Sequence, residues 1–211
     1  METNQATENL QVIRTLMERS ALYRRALAPV MLLVGSLGTI ATIVATFVGL
    51  RSGEDFVRLW LITACASLAG AMLMIRRQAL KASEPFWTPP TRRVAAAIAP
   101  AFVAGAVIGL ILSSPKNSNS WGMITVPSLW MAFYGCGLHA AGSFMPRGIK
   151  WLGWLFILGS LSYLSSLVFA QFWITGTAFD HLNLSMGAAF GGLHLAYGIY
   201  LYFTEPRKNV A

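Results

Sequence analysis

The chain has 211 residues, 55% of them hydrophobic and only 11% charged, with a mean hydropathy of +0.57. A water-soluble domain carries about 25% charged residues, so this chain lacks the polar surface to cover itself in water, and a lipid bilayer is the solvent that suits it. Its two cysteines, Cys65 and Cys136, exclude a disulfide framework, and neither has metal-ligand spacing.

Residues 6–27 come first and read as an amphipathic helix. At about 100° per residue, Leu10, Ile13, Leu16, Met17 and Ala21 share one face, while Gln11, Arg14, Thr15, Glu18 and Arg19 occupy the other. Residues 1–27 are therefore expected to form a cytoplasmic or interfacial helix that lies on headgroups, or a docking surface for a soluble partner or a second copy. This segment is polar and partly acidic and the apolar run after it is long enough to span, so no cleaved signal peptide is expected.

Six stretches then supply the roughly 20 apolar residues that a membrane helix needs: about 28–50, 56–75, 94–114, 122–145, 149–172 and 184–204. Their long runs do not alternate, which excludes a β-barrel. The expected fold is all-α: a polytopic integral membrane protein whose six-helix bundle covers 28–204, followed by a cytoplasmic tail at 205–211.

Charge sets the expected orientation. One side holds Arg14, Arg19, Arg24, Arg25, Arg76, Arg77, Lys81, Arg92, Arg93, Arg147, Lys150, Arg207 and Lys208, and the other only Arg51, Arg58 and Lys116. The positive-inside rule reads this as both termini cytoplasmic, in a cell (inner) membrane. The formal net charge of +8 is then a topology signal and an attraction for anionic lipid headgroups. Nucleic acid is not an expected partner, because no recognition motif accompanies the charge.

The inner connection 76–93 contains Pro85, Pro89 and Pro90, and is expected to be extended and turn-rich, with Glu84-Pro85-Phe86-Trp87 lying back on the membrane. Trp121 and Trp173 on the outer side, and Trp87, Trp151 and Trp154 on the inner side, sit at belt positions. Asn183-Leu184-Ser185 matches a glycosylation sequon, a motif too common to weigh.

Membrane helices associate where small residues allow close backbone approach. Ala97, Ala101, Gly105 and Gly109 give the third span such a face. Ala132, Cys136 and Ala140 do so in the fourth, and Ala188, Gly192 and Ala196 in the sixth, so these three spans are expected at the centre. Pro100 and Pro127 each free a backbone carbonyl and can kink a span. Gly137-Leu138-His139 returns as Gly192-Leu193-His194, a faint trace of a duplicated hairpin of the kind transporters use.

Catalytic constellations are scarce. All eight acidic residues fall outside the span interiors, and no phosphate-binding loop, nucleophile elbow or zinc-protease motif is present. Ser143 follows His139 by four residues, but a serine bonded to its own helix is the simpler reading. Arg58 can snorkel out to Glu54 or Asp55. His139 and His194 are the ionisable groups at depth: hydrogen-bonded packing residues first, a polar-ligand site or axial ligands of a b-type haem second. Asp180 and His181 are too few to close a metal site, and no metal is expected. The expected function is non-enzymatic: a membrane-embedded binding, sensory or accessory subunit acting through its cytoplasmic face or within a larger complex. The alternatives are a transporter or channel for a small neutral or apolar solute, and a haem-binding redox subunit.

Overall fold

The computed structural model describes residues 27–81, 83, 85–114, 120–169 and 178–204. The expected amphipathic helix up to residue 26 and the tail 205–211 lie outside the described residues. All regular structure among the described residues is helical. In chain order it comprises α1 (Leu27–Val48), α2 (Gly53–Lys81), α3 (Pro89–Leu112), α4 (Ser120–Ala141), α5 (Gly148–Phe169), α6 (Ala178–Met186), a π-helical segment (Gly187–Leu193) and α7 (His194–Thr204). The last three are continuous, and Phe179–Thr204 forms one rod. That rod, α1, α2, α3 and α5 are each long and apolar enough to cross a membrane, which makes the chain a helical, multi-pass membrane protein.

Local chemistry explains the boundaries. α1 ends where Gly49 takes φ +67°, and the amides of Gly49 and Leu50 both return to the Ala45 carbonyl; only glycine adopts that backbone without strain. α2 starts at a serine cap, with the Asp55 amide bonded to Ser52 Oγ at 3.0 Å. Arg58 reaches back to Glu54 at 3.1 Å, beside the same helix start.

The connection 76–93 departs from its expected extended form. α2 continues to Lys81, so Arg76 and Arg77 are helical, and α3 begins at Pro89. Pro89 and Pro90 open this helix because a first-turn amide has no partner to lose and proline already holds a helical φ.

The helices run up and down. At one end Gly53 lies against Met123 and Ser113; at the other Gly148 lies under Tyr197, and Arg93 sits over Phe144. α4 is central, packed between α3 and α5. Its Gly137 faces Ala101 and Ile98 of α3, while Gly135 and Gly153 bring the α4 and α5 backbones together. Ser128 and Ser160 lock this second seam, with Ser160 Oγ donating to the Ser128 carbonyl at 2.9 Å. On the other side of the molecule, α1 closes on the last rod: Gly35 and Gly38 face Phe190, Gly191 and Leu195, and Gly187, Gly191 and Gly198 face Thr42, Thr39 and Leu32.

Two apolar clusters result. One joins Phe56, Trp60, Trp130, Leu182 and Met186; the other joins Met31, Leu138, Leu152, Phe156 and Leu201. Phe190 and Tyr163 pack against both.

The expected central trio is corrected in two respects. α3 is peripheral, with only Gly105 and Gly109 of its small face buried; Ala97 and Ala101 are half-buried. Ala188, Gly192 and Ala196 face outward, as do Cys136 and Ala140. The π segment lies at the rod's displaced face: with its wider winding there, the packing glycines of the rod are 187, 191 and 198.

Candidate functional site

A polar couple sits where the two apolar clusters meet. His194, at the start of α7, is 0% exposed, and its Nε2 lies 2.7 Å from the Tyr134 hydroxyl of α4. Its Nδ1 is buried without a hydrogen-bond partner among the described residues. The imidazole tautomer decides which of the two atoms donates in this contact.

Aromatic rings enclose the pair. Tyr134 meets the Phe156 ring at 4.9 Å and the Phe190 ring at 5.2 Å, while Phe102 of α3 approaches it edge-on at 5.9 Å. The Phe156 and His194 rings are 5.4 Å apart. A hydroxyl–imidazole bond strengthens in such low-dielectric surroundings, and losing either partner leaves the other stranded.

The couple stands directly at the end of the π segment, Gly187-Ala188-Ala189-Phe190-Gly191-Gly192-Leu193. Segments of this kind are rare and recur at functional sites. Three glycines and two alanines in seven residues let the backbone widen without side-chain crowding, and Phe190 projects from the widened turn onto Tyr134 and Trp60.

A second polar contact lies in the cluster that holds Phe56, Trp60 and Trp130. Asn183 is 1% exposed; its Oδ1 accepts from Trp60 Nε1 at 3.1 Å, and its Nδ2 donates to the Phe179 carbonyl. The sequon asparagine is thus enclosed in the folded chain. Trp130 Nε1 donates to the Gly105 carbonyl at 2.7 Å, with its ring over Gly105 and Gly109.

His139 lies elsewhere. It is half-buried in the last turn of α4, edge-on to Trp154 at 5.6 Å. Five residues separate it from Tyr134, which turns it about 140° around α4 and about 7.5 Å along it. The structure therefore does not bring His139 and His194 together, and the Tyr134 hydroxyl occupies the nitrogen that a haem iron would need. Their surrounding Gly-Leu-His triplets differ too: Gly137 packs on α3 while Gly192 faces outward. Ser143 lies beyond the end of α4 in an exposed turn, off the helical face of His139. Asp180 and His181 are exposed on α6. Among the described residues, no three His, Cys, Asp or Glu side chains gather as metal ligands do.

Sequence reasoning passed over Tyr134 and the glycines of α1, and read Asn183 only as part of a sequon. A phenol in mid-span and an amide one residue before the sixth apolar run were the available signals, since each needs a partner at that depth. No protein-family model, curated protein or solved structure matches this chain.

Proposed function

We propose that this chain is a six-span, non-enzymatic membrane subunit with a sensory or accessory role, whose moving part is the Tyr134–His194 couple on the π segment. The enclosed couple carries the reading. His194 has no exposed surface and its Nε2 is engaged, so no face of the imidazole is open to a reactant. A polar latch between α4 and α7, placed at an irregular turn, suits two discrete packings of one helix against another. Displacement of α7 would be felt at Tyr197 over the start of α5, at the basic end of the bundle.

α4 supplies the sixth span in this reading. Its 22 residues reach about 33 Å at 1.5 Å each. Its polar and small residues lower its hydropathy, and Trp130, Ser128 and Tyr134 among them meet α3, α5 and α7. Arg76, Arg77, Lys81, Arg92, Arg93, Arg147 and Lys150 gather at one end, which supports a cytoplasmic location for that end and for both termini.

The test is purification from native membranes in mild detergent, for the wild type and Tyr134→Phe. A protein partner held stoichiometrically by the wild type, and lost or altered in the folded variant, supports the role. Protein-dependent solute flux in liposomes would overturn it in favour of a transporter, and a Soret band dependent on both histidines in favour of a redox subunit. Reporter fusions at Asn117 and at the C-terminus should lie on opposite sides; a shared side refutes the topology.

A further inference from the structure

Four cations lie at one end of the bundle, at the corner where α3 starts and α4 turns into α5. Arg92 and Arg93 belong to the first turns of α3, Arg147 to the α4–α5 turn and Lys150 to the first turn of α5. The Arg93 guanidinium lies 5.9 Å over the Phe144 ring, which ties the start of α3 to that turn. The Lys150 stem lies against Gly142 at its other side. The turn itself is braced by amide bonds from Ser143, Phe144, Ile149 and Lys150 to carbonyls three residues back, so the cations stand on a fixed frame.

None of the four has an ion-pair partner among the described residues. The described carboxylates, Glu54, Asp55 and Asp180, begin α2 and α6 at the opposite end. Trp151 is 72% exposed directly after Lys150, and Trp154 follows one turn deeper, which is the belt level where headgroups meet acyl chains.

Above this corner, counted into the membrane, α4 leaves a channel floor. Gly137 turns toward α3 and His139 toward Trp154 of α5. Between them Cys136 and Ala140 are small and exposed, so the surface between the two flanking helices is shallow and apolar.

We propose that this corner binds one anionic phospholipid, its phosphate held by Arg93 and Lys150 and one acyl chain lying over Ala140 and Cys136. Charge complementarity selects the headgroup, since cations without an ion-pair partner among the described residues attract anionic lipid about fivefold each near the surface, which is about 1 kcal/mol. The guanidinium, already positioned by Phe144, presents its fork to phosphate oxygens at little ordering cost. The proposal rests on the membrane placement of these helices and is independent of the role assigned to Tyr134 and His194.

The experiment uses the full chain with Cys65→Ser, its remaining thiol at Cys136 carrying a bimane label, in nanodiscs of phosphatidylcholine. Phosphatidylglycerol brominated on its acyl chains is compared with brominated phosphatidylcholine as quencher. The expected result is a phosphatidylglycerol preference that falls about fivefold for Arg93→Gln and again for Lys150→Gln, both compared as folded protein, with Lys150→Gln the variant that leaves the Arg93–Phe144 contact in place. A label at Cys65, in the Cys136→Ser chain, should show no such preference. Inorganic phosphate should not displace the lipid; if it does, the corner is a free-phosphate site and the acyl-chain half of the proposal is wrong. Equal quenching by the two lipids at Cys136, or a preference indifferent to both substitutions, overturns the proposal.

Discussion

Replacing Gly35 with alanine tests the seam between α1 and the last rod. A Cβ there would lie 2.6 Å from the Leu195 amide nitrogen and 2.7 Å from its Cγ. Ordinary carbon contact needs about 3.5 Å, so the helices must part locally by roughly 0.9 Å. The amide nitrogen is backbone and cannot rotate away. At Gly38 the atoms met are likewise backbone, the Gly191 nitrogen and the Phe190 carbonyl carbon at 2.9 Å. Gly159 on α5 provides the reference, because nothing lies within 4 Å of its Cβ position. All three substitutions carry the same helix-propensity gain of about 0.5–1 kcal/mol, so their difference isolates the packing cost. Overpacking costs about 1–3 kcal/mol, which is about a five- to 150-fold change in the unfolding equilibrium. Reversible unfolding in mixed detergent micelles should place Gly35→Ala and Gly38→Ala below the wild type and Gly159→Ala level with it or above. Equal stability for all three would refute close approach of α1 to the π segment.

The Tyr134–His194 bond should emerge in a double-mutant cycle of Tyr134→Phe and His194→Leu. Coupling of about 0.6–1.7 kcal/mol is expected for a hydrogen bond between membrane helices, and strict additivity would show that no such bond forms. Gly109→Leu should push the Trp130 ring off α3 and break its bond to the Gly105 carbonyl, lowering stability by about 1–3 kcal/mol and shifting indole emission; unchanged emission would separate α3 from α4. Asn183→Leu strands Trp60 Nε1 and should cost about 1–3 kcal/mol. Asn183 itself should stay unmodified in a glycosylation-competent membrane, and a glycan on the folded chain would contradict its enclosure.

Composition and long apolar runs were enough to identify membrane helices, because lipid contact is a property of each segment taken alone. The end of α1 and the start of α2 differ from the expected 50 and 56 because Gly49 and Ser52 cap the helices there. Proline was harder to read. Pro89 and Pro90 break a helix from inside but start one from its first turn, and only the start of α3 decides which applies.

The faces were decided by tertiary structure. A run such as 184–204 states that its residues are apolar, and apolar side chains suit lipid and protein interiors alike; hydropathy therefore leaves rotation about the helix axis open. The seven π-helical residues then displace the small face of the rod from Gly192 to Gly191, a shift that arises from how α1 and α4 hold the chain. The same holds for His194 and His139. Both follow a Gly-Leu pair, yet one is sealed against Tyr134 and the other leans on Trp154. A histidine at depth has to find a partner wherever its helix is packed. The sequence sets that demand, and the neighbouring helices supply the partner.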